Sequence, residues 1–181
     1  MLTLKKSQTI AALATTLALA GPGLASAAAV DYFLKIDGID GESTDDKHKG
    51  EIVIESWSWG VSQSSASSAG GARAGKPCTA PMSFTKPVDK ATPLLMANAV
   101  SGMVVPRAIL IGRKAGEGQQ EYLKYELKNV IVTSYQTGGS SSGAPVDQFS
   151  LNFATLTVEY KPQDPKGGLG SAVSATIQGG C

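Results

Sequence analysis

The stretch Ile52-Val53-Ile54-Glu55-Ser56-Trp57-Ser58-Trp59-Gly60-Val61-Ser62-Gln63-Ser64 decides the fold class. A β-branched run leads into alternating large and small residues, and both tryptophans of the chain stand in Trp-Ser-Trp-Gly. Branched and aromatic side chains fit the pleated, half-buried surface of a sheet, so the stretch reads as a strand. Its alternation changes phase. Ile52 and Ile54 fall on one face, whereas Trp57, Trp59 and Val61 fall on the other. A bulge or bend near Glu55 and Ser56 would reconcile the two halves.

The flanking sequence repeats the period-two signal. Tyr32, Leu34 and Ile36 alternate with Phe33, Lys35 and Asp37, a first strand that stops at the turn-prone Asp37-Gly38 and Asp40-Gly41 pairs. Past the tryptophans, the chain from Ser62 to Ala80 is rich in Ser, Ala and Gly and has too few large apolar groups for a core, which predicts a mobile loop over 62–80. Met82 to Lys86 reads as a short strand. One helix follows, with Thr92 as N-cap, Pro93 at its first position and Gly102 at its stop. Arg107 to Arg113 and Glu121 to Tyr135 are further strands. In Phe149 to Lys161 the apolar face switches between Phe153 and Ala154, the mark of a strand bending round a barrel corner. Val173, Ala175 and Ile177 supply a last weak strand, and residues 176–181 a flexible tail. Six or more strands with one helix imply an antiparallel barrel or sandwich.

The first residues stand apart from this pattern. Lys5 and Lys6, the apolar run Ile10 to Ala20, and Ala25-Ser26-Ala27 together read as a secretory signal peptide over 1–27, cleaved after Ala27. The apolar run is shorter than the roughly 20 residues that span a bilayer. Cleavage leaves one domain, 28–181, large enough for a core of its own. Loss of Lys5 and Lys6 reduces 16 basic residues to 14 against 15 acidic ones, a net charge close to −1. No basic excess remains to neutralise nucleic-acid phosphates or anionic lipid head groups, so neither a nucleic acid nor a membrane is an expected partner of the mature chain. No lipobox cysteine follows the leader, and no Asn-x-Ser/Thr sequon occurs.

Catalytic chemistry is not indicated. Gly139-Ser140-Ser141-Ser142-Gly143 matches Gly-x-Ser-x-Gly, but that elbow needs a strand-to-helix turn and a histidine base, and this stretch lies between two strands. The single histidine, His48, sits among Asp45, Asp46, Lys47 and Lys49 and reads as a surface residue. Asp37, Asp40, Glu42, Asp45 and Asp46 lack the ligand order of a calcium loop. Cys78, Cys181 and one histidine are too few for a four-ligand zinc site. No cofactor or metal is expected. Trp57 and Trp59 could form a carbohydrate platform, but large aromatics on a strand read first as core or interface anchors.

Several separated blocks carry a resemblance. Ser83-Phe84-Thr85-Lys86, Asp89-Lys90-Ala91-Thr92-Pro93 with Leu95-Met96, Arg113-Lys114-Ala115-Gly116, Tyr122-Leu123 and Leu151-Asn152-Phe153-Ala154 resemble the haemolysin-coregulated protein (Hcp) family, which supplies the tube subunit of bacterial type VI secretion systems. The similarity runs from about Val30 to about Ala175. It implies a compact antiparallel β-barrel of two sheets with one lateral helix. It also implies a structural, non-enzymatic protein whose hexameric rings stack into a hollow tube that carries secreted effectors, with the 62–80 loop near the neighbouring ring. Two features depart from the family: the leader, which addresses the chain to the periplasm or beyond, and the ending Thr176-Ile177-Gln178-Gly179-Gly180-Cys181. Two functions from different classes therefore stand side by side, an exported self-assembling Hcp-like protein and an exported barrel that serves alone as a binding module. Export into an oxidising compartment favours disulfides, and Cys181 on its Gly-Gly tail could reach Cys78 of its own chain or a cysteine of a neighbour.

Overall fold

The computed structural model describes residues 30–68, 71–114, 118–164 and 168–180. The leader 1–27 and Cys181 lie outside the described residues. The strands are β1 (Val30–Ile36), β2 (Ile52–Ile54), β3 (Ser56–Ser58), β4 (Val61–Ser68), β5 (Gly71–Thr79), β6 (Met82–Pro87), β7 (Val104–Lys114), β8 (Glu121–Ser140), β9 (Gly143–Asn152), β10 (Thr155–Tyr160) and β11 (Val173–Gln178), with one helix, α1 (Thr92–Ser101), between β6 and β7.

All pairings are antiparallel, and the main sheet runs β2-β1-β7-β8-β9-β6-β3. Its two ends, β2 and β3, are one continuous stretch interrupted only at Glu55. Ile54 lies opposite Tyr32 of β1, Trp57 lies opposite Phe84 of β6, and between them the Glu55 N–H donates to the Thr85 carbonyl at 2.9 Å. The phase change in the tryptophan stretch is therefore a transfer from one sheet edge to the other. It joins the two ends of the sheet through one chain segment, so that the sheet curls round as a barrel.

A second feature branches the sheet at β8. The first half of β8, Leu123 to Lys128, pairs with β10, and the second half, from Ile131 onward, pairs with β9. Between them Asn129 adopts φ 51°, the left-handed conformation that asparagine tolerates better than most residues. The stretch Phe149 to Lys161, expected as one bending strand, breaks at Phe153 and Ala154 into β9 and β10, which follow the two halves of β8.

Inside, Leu34, Ile52, Met82, Phe84, Leu95, Leu110, Leu127, Phe149, Leu151 and Leu156 are buried. Each side chain of this kind contributes roughly 1.5–3 kcal/mol through burial. Phe84 and Phe149 stack at 5.1 Å, and the half-buried Trp57 packs against Tyr125 at 5.0 Å and Tyr32 at 6.0 Å.

The helix lies on the side of the barrel, with Leu95 its one buried residue among those described. Pro93 stands in its first turn and Gly102 ends it at φ 64°. The N-cap is Ala91 rather than Thr92. The Thr92 hydroxyl is instead drawn inward: it accepts from Lys86 Nζ at 3.1 Å and donates to Asp147, while Asp89 Oδ1 takes the Ala91 N–H at 2.9 Å. Lys86 and Asp147 face each other in the β6–β9 register, are completely buried and form an ion pair at 2.9 Å. Burial alone would raise the Asp147 pKa, but the hydrogen bonds from Thr92 and Lys86 hold it below the ordinary carboxylate value.

The 62–80 stretch is a hairpin, β4 with β5, rather than an irregular loop. Its composition precludes a core of its own, but backbone pairing needs no large side chain. The tail is also more ordered in structure than expected, since Thr176 to Gln178 belong to β11, paired with β10.

Candidate functional site

The barrel carries no enclosed catalytic cleft among its described pockets; its distinctive chemistry is spread on surfaces. The most regular is the outer face of β3, β6, β9 and β8. Strand register aligns Ser58, Ser83, Ser150 and Ser134 in one cross-strand row and Ser56, Thr85, Gln148 and Gln136 in the next. These eight side chains alternate with Trp57, Phe84, Phe149 and Tyr135, which point inward, so the period-two rule that buries the aromatics brings out the hydroxyls and amides. The Ser83 and Ser150 hydroxyls are 2.9 Å apart. The rows floor a shallow cavity of about 310 Å³, and none of the eight carries a charge.

A second surface is apolar. The outer side of α1 and the facing part of β8 frame a groove of about 780 Å³ lined by Met96, Ala99, Val100 and Tyr135. Val100 is 91% exposed, and Met103 and Val104 continue the patch. Exposed apolar area of this kind marks an interaction site more often than a solvated surface.

The third is the hairpin β4–β5, which forms a sheet of its own. At its root the Ala80 N–H donates to the Gly60 carbonyl at 3.0 Å. The Thr79 N–H donates to the Gly180 carbonyl at 3.1 Å, and the Gly180 N–H donates to Thr79 Oγ1 at 2.8 Å. Cys78, one residue earlier, is disulfide-bonded.

The sequence reading misses one cluster. His48, expected at the surface, is only 5% exposed. Its ring stacks on Phe33 at 4.3 Å with the planes 9° apart, and Nδ1 lies 3.0 Å from Glu51 Oε2. The Arg113 guanidinium also lies over Phe33, 4.8 Å from the ring centroid, and donates to Asp45 at 2.9 and 2.7 Å and to Asp31 at 3.0 Å. The Arg113 hydrogen bonds bring the Asp45 pKa down to about 2. Two aromatic planes and a forked cation thus clamp the acidic loop onto the barrel. No nucleophile is within the described contacts of His48, whose nearest partners are carboxylates and a phenyl ring. Trp57 and Trp59 are half-buried against the core, with Trp59 facing Phe153 at 6.3 Å. Among the described residues, no group of three or more His, Cys, Asp and Glu is placed to hold a metal, and no helix is long and apolar enough to cross a membrane.

Comparison with known proteins places this barrel. Residues 33–160 match the family model described as type VI secretion system effector, Hcp. The chain is 48% identical over 142 residues to protein Hcp1 of Pseudomonas aeruginosa, spanning 77% of this chain and 88% of that one. Among solved structures it is similar to Hcp1 from Salmonella typhimurium, with 38% identity, a TM-score of 0.67 and coverage of 83% of this chain and 94% of that one. It is also similar to a type VI secretion system effector from Yersinia pestis, with 30% identity, a TM-score of 0.69 and coverage of 82% and 99%.

Proposed function

This chain belongs to the Hcp family of type VI secretion proteins, and from that premise we propose that it is an exported structural protein that self-assembles into hexameric rings and stacks them into a tube. The mature protein is the single domain 28–181, released by cleavage after Ala27. It is not an enzyme. Its function is to close around a passage and line it for secreted effectors.

The observation that carries this reading is the charge-free floor of Ser56, Ser58, Ser83, Thr85, Ser134, Gln136, Gln148 and Ser150. A wall that many different passengers must touch cannot hold a fixed charge, because it would retain passengers of opposite sign and repel those of like sign. Hydroxyls and amides can exchange hydrogen bonds with any of them. The apolar α1 groove supplies area for contact between neighbours in a ring, and a ring requires such heterologous contacts. The hairpin reaches toward the next ring.

Light scattering coupled to size exclusion on residues 28–181 is expected to give about six monomer masses, and electron microscopy is expected to give annular particles. Ser58→Trp and Ser83→Trp should add density at the central opening without changing the assembly mass; density at the outer rim would reverse the assignment of faces. A second reading, an exported barrel acting alone, is favoured by the leader of Lys5, Lys6, Ile10 to Ala20 and Ala25-Ser26-Ala27. A single monomeric species at every concentration would establish it in place of the first.

A further inference from the structure

The last glycines of the chain are each required where they stand. A Cβ on Gly179 would lie 1.9 Å from the Phe153 carbonyl oxygen, so only glycine permits the seating in which the Gly179 N–H donates to the Ala154 carbonyl at 2.8 Å. Gly180 has φ 111°, a conformation that side-chain-bearing residues rarely adopt. From there it bonds to Thr79 through both its N–H and its carbonyl. The tail is therefore a built bridge. It leaves the barrel sheet at Ala154 and ends on the root of the hairpin.

Cys78 precedes Thr79 and Cys181 follows Gly180. The Thr79–Gly180 hydrogen bonds hold the chain next to each cysteine together. A disulfide needs α-carbons within about 4.4–6.8 Å, which requires an anchored tail of this kind. Cys78 is disulfide-bonded, and the chain has two cysteines.

We propose that Cys78 and Cys181 of one chain form that bond, and that it is a redox staple that fixes the hairpin to the barrel only after export. Each thiol gives up a proton, the two sulfurs join, and the electron pair passes to the disulfide of a thiol oxidoreductase, which leaves as a dithiol. In a reducing cytoplasm the hairpin has no covalent tie at its root, where the Gly60–Ala80 and Thr79–Gly180 hydrogen bonds are among the contacts that hold it. In an oxidising compartment it is fixed covalently. With the hairpin meeting the next ring, as in the assembly proposed above on which this step rests, stacking is withheld until the chain has crossed the membrane.

The test uses the full chain exported with its own leader, with thiols blocked at lysis. The expected species on a non-reducing gel is a monomer without titratable thiols. A reducible ladder, or two free thiols per chain, would overturn the staple. Trypsin cleavage at Arg73, followed by mass spectrometry, then reads the hairpin. Reduction with alkylation, or Cys181→Ser, is expected to speed that cleavage about tenfold or more, as a shifted local opening equilibrium requires. Equal rates would remove its control of the hairpin. Assembly mass measured on the same samples separates the two proposals: a monomer in every state with staple-dependent cleavage defeats the ring and leaves the staple standing.

Discussion

Two neighbouring segments, Ile52–Ser58 and Val61–Thr79, are both extended and both antiparallel, yet they are held in opposite ways. The first pairs with two strands distant from each other, β1 and β6, and Ile52, Ile54 and Trp57 contribute to the core. The second pairs within itself, through residues too small to bury much area. Removing water from apolar surface stabilises the first, whereas backbone bonds and an anchored root define the second. The contrast teaches that strand content does not measure contribution to stability: the barrel depends on its seam and not on its hairpin.

The largest test of that contrast lies beside the seam. The completely buried Lys86 pairs with Asp147 at 2.9 Å and with Asp89 at 2.6 Å, so the double change Asp147→Ala with Asp89→Ala would leave it without a carboxylate, and stranding a buried charge costs about 3–5 kcal/mol. The expected result is a large fall in the urea midpoint; a small one would mean that Lys86 escapes to water and that the β6–β9 register is looser than described. Trp57→Ala comes next, toward the lower end of about 3–5 kcal/mol, because the ring is half-buried. A melting temperature that hardly moves would instead make Trp57 an exposed ligand platform.

Acid offers a third test. The folded pKa of Asp45 is depressed from 3.8 to about 2 by Arg113, so its contribution is present in full above the ordinary carboxylate value and is lost as pH falls toward about 2. Asp45→Asn should flatten the stability profile between those limits and leave the neutral-pH profile parallel to wild type; an unchanged acid limb would show that the clamp does not hold the loop that leads into the seam. The smallest effect is expected at the hairpin. Replacing residues 64–76 by Asn-Gly should change barrel stability by less than about 0.5 kcal/mol, while assembly mass falls. A large loss of stability would erase the distinction between the segments.

Much of this was legible in the sequence because period two survives intact. The phase slip at Glu55 marked the edge transfer, and the slip at Phe153 and Ala154 marked the division between β9 and β10. The charge-free face went unread, although it consists of the residues left over when Trp57, Phe84, Phe149 and Tyr135 turn inward. Lys86 carried a signal that went unread. It shares the phase of Met82 and Phe84, as Asp147 shares that of Phe149 and Leu151, and a charge in the apolar phase of two strands suggests a buried pair. The hairpin was missed because composition reports burial, and its pairing involves little. His48 was missed because a loop rich in charges gives no periodicity, and only the fold brings Phe33 and Glu121 to it.

The transfer at Glu55 also governs order in time. β2 can pair with β1 early, and β3 can pair with β6, but the circle is complete only when β7 has met β1 and β9 has met β6, the last contact lying at Val146 to Leu151. A polypeptide emerging from its N-terminus therefore has no closed barrel until about four-fifths of its length is free, counted to residue 151 of 181. Under the export proposed above, this late closure would keep the translocating segment thin enough to pass, and the seam that stabilises the finished barrel would also delay its completion.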